Sequence, residues 1–288
     1  MPENLIGRVS LPVPVDVPLR ARYAAYEIAA RLVSEIGETD APLVVLGTGR
    51  CGSTLTVRVL QSHPDIEDVP GELNTVLHPA TYPYRRRSIE VPPFVVNPRL
   101  HTELSLAAWP ESNDVRLRRV IRGFRITEGL GYPKTLIKTA MGAFLLPTLL
   151  RVWPNLRVVH LVRHGFPVCE SFVVKEWHKY EHVMANQAEY RLHAARYWRD
   201  CVAELERVNV QYGLSEKGRY VTVRYEDLCD DPKGQLARIG DVAGLDPERF
   251  GYDMSKISSR NHKHDVDSEL GQQMLEIMDE QLRAFGYV

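Results

Sequence analysis

The stretch PLVVLGTGRCGSTLTVRVLQSHP, residues 42–64, constrains the fold of this chain more than any other. PLVVLGT is a short, apolar, β-branched run closed by glycine, the pattern of a buried strand. STLTVRVLQSH reads as a helix ended by Pro64. Between them lies a glycine-rich turn. A strand, such a turn and a helix in direct succession form the setting in which backbone N–H groups cradle a phosphate.

Gly47 to Thr54 nearly spells the triphosphate-binding pattern G-x-x-x-x-G-K-[ST], with Gly47 and Gly52 at the right spacing. Ser53 stands where that pattern needs lysine. The lysine reaches the β- and γ-phosphates, and a serine hydroxyl cannot replace its charge. Either the chain is a broken nucleotide triphosphatase, or the loop holds a different phosphate-bearing ligand.

Further strands are predicted at TLIKT (135–139), RVVHLV (157–162) and RYVTVRY (219–225). Helices are predicted near 142–152, 165–176, 187–211, 233–243 and 268–285, and RARYAAYEIAARLVSEIG forms another within an N-terminal arm of residues 1–40. The alternation predicts an α/β fold, a mostly parallel central sheet flanked by helices, in a single domain over 1–288. Residues 78–115 are rich in proline, arginine and asparagine, which predicts a long excursion over one face, and 78–130 is expected to act as an acceptor-side lid. In such sheets ligands bind beyond the carboxyl ends of the strands. That rule selects the loop 47–54, Lys138-Thr139, Arg163 onward and Arg224-Tyr225-Glu226, each with a cation. Several cations around a glycine-rich turn suit a polyanionic small molecule.

Composition narrows the partners. The 36 basic and 37 acidic residues leave a net charge of −1, which argues against a broad nucleic-acid surface. The four cysteines are dispersed without a C-x-x-C pair, as expected of reduced thiols rather than a disulfide frame or zinc site. His262, His264 and Asp265 lack a second partner segment, so no metal is expected. The N-terminus lacks the order of a signal peptide, and no run approaches the ~20 apolar residues of a membrane span. A cytoplasmic protein is expected.

GTGRCGSTL together with LVRHGFPVCESF (161–172) resembles the sulfotransferase superfamily, enzymes that use 3′-phosphoadenosine 5′-phosphosulfate (PAPS). The resemblance implies a P-loop-like three-layer sandwich whose first motif holds the 5′-phosphosulfate. There the cation comes earlier in the turn: Arg50 fills that place, followed by Cys51 for the usual serine and then Gly52, Ser53 and Thr54. In the second motif the resemblance gives the 3′-phosphate to Arg163 and Ser171, with His164-Gly165 replacing Asp-Pro. RYVTVRYEDLCDDPKGQLARIGDVAGL and QLRAFGY also resemble family segments. Tyr225 in the former either contacts the adenine or packs in the core. Ser259 and Lys263 match a loop that touches the nucleotide phosphates.

Sulfuryl transfer needs a base for the nucleophile and positive charge on the leaving oxygen. In the branch that includes tyrosylprotein sulfotransferases, the helix after the loop ends at His-Pro and a Gly-Glu pair follows. His63-Pro64 and Gly71-Glu72 are similar, with two more residues between them, so Glu72 is expected to be the base. Other members use a histidine after the K-T strand, where this chain has Ala140. The resemblance assigns the leaving oxygen to Lys138, and His78 or His160 stands next in line should Glu72 fail. The implied function is metal-free sulfuryl transfer from PAPS to a hydroxyl or amine of a small-molecule or peptidic acceptor. The alternative is an ATP-dependent P-loop kinase with a degenerate loop, which would want the missing lysine and a metal-binding acid at a strand end.

Overall fold

The computed structural model describes residues 19–32, 42–73, 95–96, 98–99, 113–128, 132–139, 142–182, 184–258 and 266–288. Five strands, β1 (Leu43–Gly47), β2 (Ile66–Asp68), β3 (Lys134–Thr139), β4 (Arg157–Val162) and β5 (Tyr220–Arg224), form one sheet in the order β2-β3-β1-β4-β5. Every pairing is parallel, with Leu43 of β1 opposite Leu136 of β3 and Arg157 of β4. The strand before the glycine-rich turn is therefore the central one, and the turn opens between the ends of its two neighbours. The expected α/β class holds. No described helix is long and apolar enough to cross a membrane.

Each strand buries alternate residues on opposite faces, as a sheet covered on both sides requires. Val44, Leu46, Val158 and Val162 join one core with α1 (Leu19–Leu32), α3 (Asn113–Thr127), α4 (Leu146–Val152), α5 (Gly165–Glu176), α6 (Gln187–Tyr212) and α9 (Glu269–Ala284). Leu43, Val45, Val159, Leu161 and Val223 join the other with α2 (Ser53–Gln61), α7 (Tyr225–Asp230) and α8 (Pro232–Ala243). Local chemistry fixes the ends. Asn186 accepts the Glu189 N–H at 2.9 Å to open α6, and Gly213 closes it in the left-handed region. Asp231 caps α8 ahead of Pro232 at its first position.

Besides the short helix α7, which starts at Tyr225 where a strand was expected to end, two elements were not anticipated. β2 is three residues long and two of them are acidic, too short for a strand pattern. The second, α3, falls inside the span expected to be a lid; of that span, residues 78–94, 97, 100–112 and 129–130 lie outside the described residues. Arginines mask its periodicity, yet Leu117, Val120, Ile121 and Phe124 follow the helical spacing and are fully buried. α3 packs against α1, where the Tyr26 ring meets Phe124 edge to face at 5.8 Å and the Tyr26 hydroxyl donates to Glu128 at 2.6 Å. Arg22 pairs with the same carboxylate, and Arg116 with Glu27 at 2.8 Å.

The two helices approach through Gly123: a Cβ there would run into the Tyr26 carbonyl. Gly123→Ala should gain about 1 kcal/mol of helix propensity, but prising rigid backbones apart costs about 1–3 kcal/mol. Urea unfolding should show a net loss of stability, and a variant as stable as the parent would mean the helices do not touch there.

Candidate active site

The turn after β1 is held by two left-handed residues, Arg50 (φ 68°) and Gly52 (φ 99°). Glycine is needed at 52 twice over, since a Cβ would also strike the Tyr225 ring. Among the described residues no side chain caps α2, so its first N–H groups face the turn as anion donors. Ser53 is buried and Thr54 exposed at the start of that helix. Cys51 is fully buried, and burial pushes its thiol up to about 11, so it is a neutral packing group and not a nucleophile.

The turn is tied to α6. The Gly49 N–H donates to the buried Tyr197 hydroxyl at 2.8 Å, and the next residue, Trp198, donates its indole N–H to the Arg163 carbonyl at 2.9 Å. Arg163 follows β4, is only 6% exposed, and donates from Nη1 to the Arg50 carbonyl at 3.1 Å. Its guanidinium lies over the Tyr225 ring, 4.7 Å from the centroid. Arg50 in turn donates from Nε to the Ser171 hydroxyl in α5 at 3.1 Å. The two sequence motifs are thus physically joined. Tyr225 is 4% exposed, packed under the turn, with its hydroxyl donating to the Ser258 carbonyl at 3.3 Å.

A second corner lies across the turn. The Leu73 N–H donates to the Lys138 carbonyl at 3.0 Å, carrying the chain beyond β2 alongside β3. The adjacent Glu72 therefore meets Lys138, Oε1 to Nζ at 3.1 Å, while the same Nζ donates to Thr54 Oγ1 at 3.1 Å. Gly71, at φ 81°, makes the bend, and the Tyr23 hydroxyl of α1 donates to the Pro70 carbonyl just before it.

Ten of the predicted site residues thus surround the carboxyl ends of β1, β3, β4 and β5. Ser259 and Lys263 lie outside the described residues, as does His78. His160 is not brought to the site. It is fully buried under the sheet, where Nδ1 lies 2.8 Å from the Tyr220 hydroxyl and 3.1 Å from Glu206 Oε1. Sequence reasoning missed Tyr197 and Trp198. Their only signal is two adjacent aromatics with polar tips on a long helix, which does not say what the tips reach.

The donors fit a polyanionic ligand. Arg50, Arg163, Lys138 and the uncapped start of α2 supply them, and the buried hydroxyls of Thr48 and Thr139, at the ends of β1 and β3, have no hydrogen-bond partner among the described residues. Among those residues no three potential metal ligands cluster. A family model described as "Sulfotransferase family" matches residues 42–249, most of the chain. The chain belongs to the sulfotransferase family. Its members are enzymes that use PAPS.

Solved sulfotransferases share the fold. STF9 from Mycobacterium avium is 16% identical with a TM-score of 0.62, over 92% of this chain and 82% of that one. STF1 from Mycobacterium tuberculosis H37Rv is 18% identical with a TM-score of 0.52, over 91% and 84%. The sulfotransferase domain of the Synechococcus PCC 7002 olefin synthase is 19% identical with a TM-score of 0.51, over 86% and 96%. No curated protein matches in sequence.

The anchor on α6 can be tested directly. Tyr197→Phe keeps the ring and strands the buried Gly49 N–H, so unfolding free energy should fall by about 1–3 kcal/mol. An unchanged urea midpoint would mean the hydroxyl does not hold the turn.

Proposed function

We propose that this sulfotransferase moves a sulfuryl group from PAPS to a hydroxyl or amine of a small-molecule or peptidic acceptor, in line and without a metal, with Glu72 as general base. The observation that carries the proposal is the Glu72–Lys138–Thr54 chain, which links a carboxylate to the phosphate turn through one ammonium. Bound PAPS supplies the sulfuryl group and the phosphate that leaves. The turn residues Arg50, Gly52, Ser53 and Thr54 hold the 5′ end, and Arg163 with Ser171 holds the 3′-phosphate. Cys51 and Tyr225 shape that site from beneath, Cys51 behind the turn and Tyr225 as the surface on which Arg163 rests. For Tyr225 burial favours packing over adenine contact. Ser259 and Lys263 remain candidates for the phosphates by resemblance alone.

Glu72 takes the proton of the attacking group as the new bond to sulfur forms. Lys138 meets the charge that develops on the leaving oxygen, and Thr54 holds the ammonium beside the turn. Because Lys138 touches both Glu72 and Thr54, the base and the cation that meets the leaving oxygen are held beside the turn, which serves the positioning that in-line transfer needs. The Gly71-Glu72 pair beside Lys138 favours the branch that includes tyrosylprotein sulfotransferases. The same assignment treats 1–288 as one domain.

Nucleotide choice tests the donor. Thermal melting should rise with 3′-phosphoadenosine 5′-phosphate in the absence of magnesium, since ligand at ~100 times its Kd adds about 2.7 kcal/mol. Stabilisation by Mg-ATP alone would revive the kinase.

Glu72→Gln tests the base. It keeps the shape and the contact to Lys138 but cannot take a proton. Turnover of labelled PAPS with a pool of phenolic, alcoholic and amine acceptors should fall about 10²–10⁴-fold, with affinity for 3′-phosphoadenosine 5′-phosphate near that of the parent. Normal turnover would place the base elsewhere.

A further inference from the structure

We propose that Tyr287 is a positioning residue for the donor site: through Glu226 it fixes the turn at Arg163 and His164, and so sets how well the nucleotide's 3′-phosphate is recognised. The inference rests on the assignment of Arg163 and Ser171 to that phosphate.

The contact is built in three steps. α9 ends in a sharp reversal at Gly286 (φ 68°), with the Gly286 N–H donating to the Arg283 carbonyl at 3.0 Å and the Tyr287 N–H to the Leu282 carbonyl at 2.9 Å. The reversal turns Tyr287 back toward the sheet. Its ring is covered by the Arg224 guanidinium at 4.3 Å and meets the His164 ring edge-on at 4.8 Å. Its hydroxyl donates to Glu226 Oε2 at 2.8 Å, while Glu226 Oε1 accepts the His164 N–H at 3.1 Å. One carboxylate thereby bridges the segment after α9 to the start of α5.

Position explains why this bears on the ligand and not on the fold alone. Tyr225 and Glu226 are consecutive, as are Arg163 and His164, and they engage residue for residue: ring under guanidinium, carboxylate on amide. With Oε2 fixed by Tyr287, the carboxylate cannot rotate away from the His164 amide, and the peptide that carries Arg163 is pinned on its far side. Burial, and then the Glu226 charge, raise the Tyr287 phenol well above its ordinary range, so it stays a donor wherever the protein is folded. α9 adds a second contact at the same place, because a Cβ on Gly165 would run into the Met278 sulfur. Neither Tyr287 nor Glu226 need touch the nucleotide.

The test compares two ligands that differ only in the 3′-phosphate, 3′-phosphoadenosine 5′-phosphate and AMP, by calorimetric titration and competition. Tyr287→Phe removes one hydroxyl, and Glu226→Gln leaves an amide that cannot accept from both partners. In each, the Kd for 3′-phosphoadenosine 5′-phosphate should rise roughly three- to tenfold, the worth of one oriented hydrogen bond, with AMP changed by less than about twofold. Arg163→Ala supplies the reference for complete loss of the preference. If wild type prefers the 3′-phosphorylated ligand and Tyr287→Phe matches it, the positioning role is wrong. Equal weakening of both ligands with a lowered Tm would make the contact a fold support only, and would also overturn it. A wild type without the preference would instead remove the donor assignment, and this inference with it.

Discussion

The buried guanidinium of Arg163 is the constraint on which the rest of the site depends. Taking such a cation out of water costs several kcal/mol unless its surroundings replace the lost hydration. Here a carbonyl and an aromatic face contribute, and both lie around the candidate site: the carbonyl is that of Arg50, and the ring is that of Tyr225. Guanidinium suits this better than ammonium, being planar, weakly hydrated and able to stack while it donates in its own plane. The turn after β1 and the turn after β4 are thus fixed against each other by one side chain. Ser171 adds a second link through Arg50.

Around this centre the fold divides labour between the two faces of the sheet. The α6 side supplies immobility: Tyr197 and Trp198, consecutive on a 26-residue helix, hold Gly49 and the Arg163 carbonyl respectively. A long helix packed against α5 and α9 is hard to displace, so it makes a good reference frame. The other corner is lighter. Glu72 reaches Lys138 on a short segment past β2, steadied by Leu73 on β3 and by Tyr23 from α1.

How much of this was legible in the sequence follows from the range of each interaction. The strand–turn–helix at 42–61, the strands at 134–139, 157–162 and 220–224, and the capped helices are local, and periodicity with glycine and proline marks them. The rule for strand ends then brings most of the site together without knowledge of side-chain contacts. What failed was either masked or non-local. α3 hid because five arginines interrupt its apolar positions, although the apolar spacing itself is regular. His160, named as a fallback base, is turned by strand alternation to the α6 face. Tyr197 and Glu226 act over separations of 148 and 62 residues, and nothing local in the sequence encodes such a meeting.

Arg50 carries a side chain at φ 68°, where glycine would sit without strain. The left-handed conformation costs an ordinary residue about 1–2 kcal/mol. Glycine at position 50 would remove that strain, at the cost of greater freedom in the unfolded chain. The resulting protein would lack both the cation in the turn and its bond to Ser171. Position 50 is where relief of backbone strain and selection for chemistry pull in opposite directions, and an engineer pursuing the first should hold that residue fixed.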